Sequence, residues 1–158
     1  MISRRQASLF LDCLAVEVIR REFNPAQAAL IDAHVTLCRE DEVADWGEFS
    51  KRCHELRSFE LNLEFGPPVR ENDLVYLPCV GGTADFDRLR RRLLGPHVRD
   101  HSAHITLIHP RNGTCNDVVF EEISSRLVPF AHRFSNMSLI RQENGGVWKT
   151  LETIEFIS

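Results

Sequence analysis

A five-residue phrase occurs twice in this chain, as Ala33-His34-Val35-Thr36-Leu37 and as Ala103-His104-Ile105-Thr106-Leu107, 70 residues apart. Repetition at a fixed spacing restricts a fold more than any single pattern, because each copy must take an equivalent place. The flanking sequence keeps the same order in both halves. Runs rich in aromatic and aliphatic residues, 8–13 and 74–79, read as strands and each ends in Leu-x-Cys. Helical patterns follow, over 14–23 with Leu14, Val18 and Ile19 on one side, and over 84–94 with Phe86, Leu89 and Leu93 at helical spacing. Beyond each copy comes a further helical pattern, through Val43, Trp46, Phe49, Cys53 and Leu56 in the first half and Val119, Ile123 and Leu127 in the second. Two strands close each half: 58–65 turns at Gly66-Pro67-Pro68 and returns as 73–80, and 133–141 turns at Asn144-Gly145-Gly146 and returns as 147–157. The expected class is α+β, a single domain of two pseudo-symmetric lobes, about 6–71 and 72–157, with no low-complexity linker between them.

Composition narrows the partners. With 158 residues and 43% hydrophobic content the chain can build one self-sufficient core. Its net charge of −4 supplies no broad positive field for long nucleic acid, so a small substrate or the end of a larger one is expected. The five cysteines are odd in number, widely spaced and lack a C-x-x-C pair, which points to thiols in a reducing compartment rather than a disulfide framework. Asp12 and Glu17 interrupt the first apolar stretch before it can act as a signal-peptide core, and no apolar run reaches the length of a membrane span. A cytoplasmic monomer with no membrane partner is the expectation.

On a strand, His34 and Thr36 project from one face while Val35 and Leu37 project from the other, and the second copy does the same with His104 and Thr106. Packed about a pseudo-twofold, the lobes bring two imidazoles and two hydroxyls to one groove. That set suits phosphate chemistry: the hydroxyls donate to phosphoryl oxygens, one imidazole removes a proton and the other supplies one. A single His-x-Thr on a strand is ordinarily a half-buried histidine beside a hydroxyl; its recurrence at matched positions argues for chemistry. The sequence has no G-x-S-x-G elbow and no Gly-rich phosphate loop, and Gly81-Gly82-Thr83 reads as a turn with a helix cap.

His34-Val35-Thr36-Leu37 and His104-Ile105-Thr106-Leu107 resemble the paired H-x-T-x signatures of the two-histidine (2H) phosphoesterase superfamily, which includes bacterial RNA 2′,5′-ligase and cyclic phosphodiesterase proteins. The resemblance covers nearly the whole chain. It implies two lobes, each an antiparallel sheet with helices, flanking a groove in which His34 and His104 are catalytic and Thr36 and Thr106 bind substrate. It implies hydrolysis, without metal or cofactor, of a 2′,3′-cyclic phosphate, ADP-ribose cyclic phosphate or 2′,5′ linkage on a nucleotide or RNA end, with 2′,5′ RNA ligation as a related activity. Family members often carry a cation soon after the second signature; here His109 stands five residues after His104, and Arg39 holds the matching place in the first half. Arg39, His109 and Arg111 are the candidates for the phosphate cation, with Arg39 favoured because it stays charged at any working pH.

Two other functions compete with this one. A non-catalytic module that binds nucleotides or RNA ends would keep the groove, and the cluster His97, His101, His104 and His109 raises a metal site. Gly95-Pro96 and the strand pattern from His104 argue against a helix holding that cluster, so His97 and His101 are expected in solvated loops and no metal site is expected. Arg88, Arg90, Arg91 and Arg92 are expected on the outer face of their helix, and Trp46, Tyr76 and Trp148 are expected to pack rather than stack a base.

Overall fold

The computed structural model describes residues 2–56 and 59–156. Ser58 and Ile157, at the ends of two expected strands, lie outside those residues. In chain order the elements are β1 (Ser3–Phe10), α1 (Leu14–Phe23), α2 (Pro25–Ala28), β2 (His34–Cys38), a 3₁₀ turn (Glu40–Glu42), α3 (Trp46–His54), β3 (Leu61–Phe65) and β4 (Val69–Glu71). They continue as β5 (Leu74–Gly81), α4 (Thr83–Leu94), β6 (His104–Ile108), α5 (Asp117–Arg126), β7 (Phe130–Phe134), β8 (Asn136–Glu143) and β9 (Lys149–Glu155). The strands form one antiparallel sheet in the order β7-β3-β5-β6-β2-β1-β8-β9, with β4 on β5.

The two copies of the repeated phrase are β2 and β6, neighbours at the centre of the sheet, which meet at Val35 opposite Ile105. Outward from this seam the sheet interleaves the sequence halves. Strands β8 and β9 from the second half extend β1, and β3 from the first half lies between β5 and β7. Helix α1 packs on β6, α4 on β3 and α3 on α4. Val35, Leu37, Ile105 and Leu107 point into the core and are at most 1% exposed, each contributing roughly 1.5–3 kcal/mol by leaving water.

Local chemistry explains most of the boundaries. Asp45 and Asn116 cap α3 and α5, each accepting a backbone N–H from three residues on. Asn144 and Gly145 have φ of 52° and 72°, the two positive values that a tight β8–β9 turn needs. Gly82 stands before α4 at φ 83°, where a Cβ would fall 2.0 Å from the Asn62 carbonyl oxygen. Gly82 is therefore the cap residue and Thr83 the first residue of the helix, and no side chain caps this end.

Two helices differ from expectation. In α1 the buried residues are Val16, Glu17, Ile19 and Arg20, while Leu14 is 71% and Val18 41% exposed. In α4 Arg90 shares the buried stripe with Phe86, Leu89 and Leu93, correcting the outward placement of that arginine. The physical reason is the same in both: each buried arginine has a carboxylate and at least one backbone carbonyl to satisfy it, so a position that looks polar on a helical stripe is satisfied inside. All five cysteines are unpaired, and burial pushes the Cys53 thiol up to about 12. Among the described residues no helix is long and apolar enough to cross a membrane.

Candidate active site

Exposure alternates identically along the two central strands: His34, Thr36, His104 and Thr106 are half-buried, and the residues between them are buried. All four half-buried side chains line one cavity of about 340 Å³, together with Gln6 and Arg39. Register extends this face sideways. Ser8 and Phe10 of β1 lie opposite Thr36 and His34, and Tyr76 and Pro78 of β5 lie opposite Thr106 and His104.

The backbone sets the tautomer of both rings. His34 Nδ1 lies 2.8 Å from the Asp32 carbonyl oxygen, and His104 Nδ1 lies 2.8 Å from that of Ser102. A carbonyl oxygen only accepts, so each Nδ1 carries hydrogen, and in the neutral ring Nε2 is the bare nitrogen able to exchange a proton. Thr36 Oγ1 accepts from Gln6 Nε2 at 3.2 Å, which leaves the hydroxyl hydrogen to be given elsewhere.

Charge is arranged unevenly around the two rings. Burial lowers the His34 pKa to about 4; the bond to Asp32 opposes this, and the Arg20 guanidinium and His104 add to it. Arg20 lines the same cavity. On the other side His104 stands against the Tyr76 ring, edge to face at 5.7 Å, and its surroundings include the carboxylates of Glu71 and Asp100.

Two buried ion pairs hold the ends of β2. From α1, Arg20 donates to Glu17 at 3.2 Å and to the Ile31 carbonyl at 2.8 Å, while Glu17 accepts the Ala33 N–H at 2.5 Å. From α4, Arg90 donates to the Leu37 carbonyl at 2.5 Å and to both oxygens of Glu42 at 3.1 and 2.5 Å. Glu42 also accepts the Arg39 N–H at 3.0 Å. Burial opposes ionisation of Glu42, yet the bonds from Arg90 and the Arg39 backbone bring its pKa down to about 2. Sequence reading missed both pairs, although Arg20 and Arg90 stand at the same 70-residue offset as the histidines.

The candidate cations separate clearly. Arg39 is exposed, lines the cavity, and has no carboxylate within ion-pair distance among the described residues. His109 also lines it, but its Nδ1 accepts the Arg111 N–H at 3.0 Å and the Arg111 guanidinium lies 3.2 Å from Nε2. Burial and then Arg111 lower its pKa, so its cationic form is disfavoured. Arg111 is not among the residues lining the cavity. His101, expected in solvent, is half-buried: its Nε2–H donates to the Thr36 carbonyl at 3.1 Å and its ring stands 6.0 Å from that of His104. Burial and then Arg90 push His101 down to about 4. His97 is exposed, and among the described residues no three His, Cys, Asp or Glu side chains converge as a metal site. Trp46 packs on Phe49 as expected, whereas Trp148 lines the cavity, with Arg4 5.4 Å over its ring.

No protein-family model and no curated protein matches the sequence. The fold does have solved counterparts. E. coli LigT complexed with phosphate aligns at a TM-score of 0.63 and 16% identity over 99% of this chain and 98% of that one. A crystal structure of a phosphoesterase aligns at 0.64 and 14% over 99% and 100%. The chain has the two-histidine phosphoesterase fold. LigT complexed with 3′-AMP aligns at 0.58 and 14% over 99% of each chain, so the match of this 2H fold extends across both motif strands and everything that flanks them.

Proposed function

We propose that the chain is a metal-independent phosphodiesterase that opens a 2′,3′-cyclic phosphate, or cleaves a related 2′,5′ diester, on a nucleotide or RNA end. The observation that carries this reading is the pair of imidazoles with Nδ1 tied back to carbonyls and Nε2 left to exchange protons, facing one cavity beside two threonines and Arg39. The similar LigT has been crystallised with phosphate and with 3′-AMP, which supports a nucleotide phosphate as the ligand.

The surroundings of His34 support one division of the roles. His34, beside Arg20 and held in its neutral form by burial, serves as the base; His104, on the paired strand, is then the acid. Water attacks phosphorus while giving its proton to His34 Nε2. The bond from phosphorus to the ribose oxygen breaks, and that oxygen takes the proton from His104 Nε2. The product is a ring-opened phosphomonoester. Thr36, Thr106 and Arg39 stabilise the phosphoryl oxygens, on which charge grows.

Phosphorus NMR over 2′,3′-cyclic nucleotides, ADP-ribose cyclic phosphate and 2′,5′-linked dinucleotides tests this. We expect the signal of at least one substrate to become that of a monoester, with the rate unchanged in EDTA. Binding without any conversion would instead favour a nucleotide or RNA-end binding module. Within the same assay Arg39→Ala should lower kcat/KM by at least about 10-fold, since hydrogen bonds to charged groups contribute roughly 1.5–3 kcal/mol. His109→Ala should have the smaller effect; the reverse ranking would move the phosphate cation to His109.

A further inference from the structure

A second cavity of about 510 Å³ adjoins the first and shares His104, Arg39 and Leu74 with it. Its size falls within the roughly 300–1,000 Å³ usual for small-ligand sites. Strand alternation builds one wall: Leu74, Tyr76 and Pro78 of β5 stand on the same face as His104 and Thr106. The β4–β5 hairpin supplies Glu71, and the segment before β6 supplies Asp100 and Ser102.

The chemistry of this lining is selective. Leu74, Tyr76 and Pro78 offer flat apolar surface, suited to a planar ring. The titratable groups lining the space are Glu71, Asp100, Tyr76, Cys79, His101, His104 and Arg39. A further phosphate would meet two carboxylates here, and ionised carboxylates only accept hydrogen bonds. Tyr76 Oη lies 3.5 Å from Glu71 Oε1, so that carboxylate stands beside the ring wall.

We propose that this cavity is the base subsite of the enzyme and that Glu71 and Asp100 make it prefer guanine. The proposal rests on the phosphodiesterase reading for its substrate, and on the lining for its specificity. Guanine alone among the four common bases presents two adjacent donors, N1–H and the 2-amino group, which match the two oxygens of one carboxylate. Adenine and cytosine place a ring acceptor beside their amino group, and uracil flanks its N–H with two carbonyls. Each would set a lone pair against the carboxylate.

The test is kcat/KM for the four nucleoside 2′,3′-cyclic phosphates with the full chain and with Glu71→Gln, Asp100→Asn and the double variant. We expect the native protein to favour the guanosine substrate over the uridine one by about 10-fold or more, the discrimination of a good bidentate base contact. In the double variant the ratio should fall toward one, because each amide puts a donor where an acceptor stood. Equal rates on all four substrates, or a guanine preference that survives the double substitution, would overturn the proposal. If the native protein cleaves none of them, the nucleoside 2′,3′-cyclic phosphate arm of the phosphodiesterase reading fails separately. Calorimetric binding of 3′-GMP against 3′-UMP to the same proteins then decides the subsite: preference for 3′-GMP that is lost in the double variant upholds it, and equal binding or no binding rejects it.

Discussion

Replacing either His34 or His104 with alanine is expected to lower kcat by about 10²- to 10⁴-fold, the usual worth of a positioned acid or base. Folding should survive, because both rings are half-buried on the cavity face and each makes a single hydrogen bond, to a carbonyl two residues earlier. The pH dependence separates the two roles. A base must be neutral, and burial holds the His34 pKa at about 4, so its acidic limb lies there rather than near the ordinary value of ~6.5. Activity governed by His34 should therefore hold as pH falls through 6 and be lost only on approaching 4. His34→Ala should remove that limb along with most of the rate. Wild-type turnover in either variant, on a substrate that the native protein cleaves, would refute the two-histidine mechanism.

Arg90→Ala is expected to destabilise the fold by about 3 kcal/mol, although the sequence pattern places this arginine on the outside of its helix. Removing one member of a buried pair leaves the other charge without compensation, which costs ~3–5 kcal/mol. Arg90 is 1% exposed and its loss strands Glu42 and the Leu37 carbonyl together. The low end of the range applies because Arg99 remains 3.3 Å from Glu42. Urea unfolding read by circular dichroism measures it, with Arg88→Ala, which loses only an exposed bond to Asp85, as the comparison. A shift below about 1 kcal/mol would mean that Arg99 or water takes over the whole role.

The parts of the site that were legible in the sequence are those written in local periodicity. Alternation of exposure on the two motif strands follows directly from His-x-Thr, and the turn at Asn144-Gly145 follows from residues that accept positive φ. Helix α1 runs over the expected 14–23. Its buried face was misread because Arg20 and Glu17 neutralise each other within it, and helical spacing scores a charge as outward whatever its partner. Arg90 was misread for the same reason. The position of His101 depends on a carbonyl 65 residues away, a contact with no local signature. Strand pairing was legible only where a turn joins the partners: 58–65 and 73–80 flank Gly66-Pro67-Pro68 and hold the paired β3 and β5, whereas nothing in 61–65 says that its other neighbour is β7.

The interleaved strand order has a consequence for how the molecule comes to exist at all. Neither half of the chain can close its own part of the sheet: β1 must wait for β8, translated more than a hundred residues later, and β3 must wait for β7. Pairings this distant in sequence are slow to form and reward the chain only when nearly complete. The duplication that is so plain in the sequence is therefore not a duplication of folding units. The two imidazoles meet through the β2–β6 seam, while the strands that complete the sheet on either side of it are drawn from both halves of the chain.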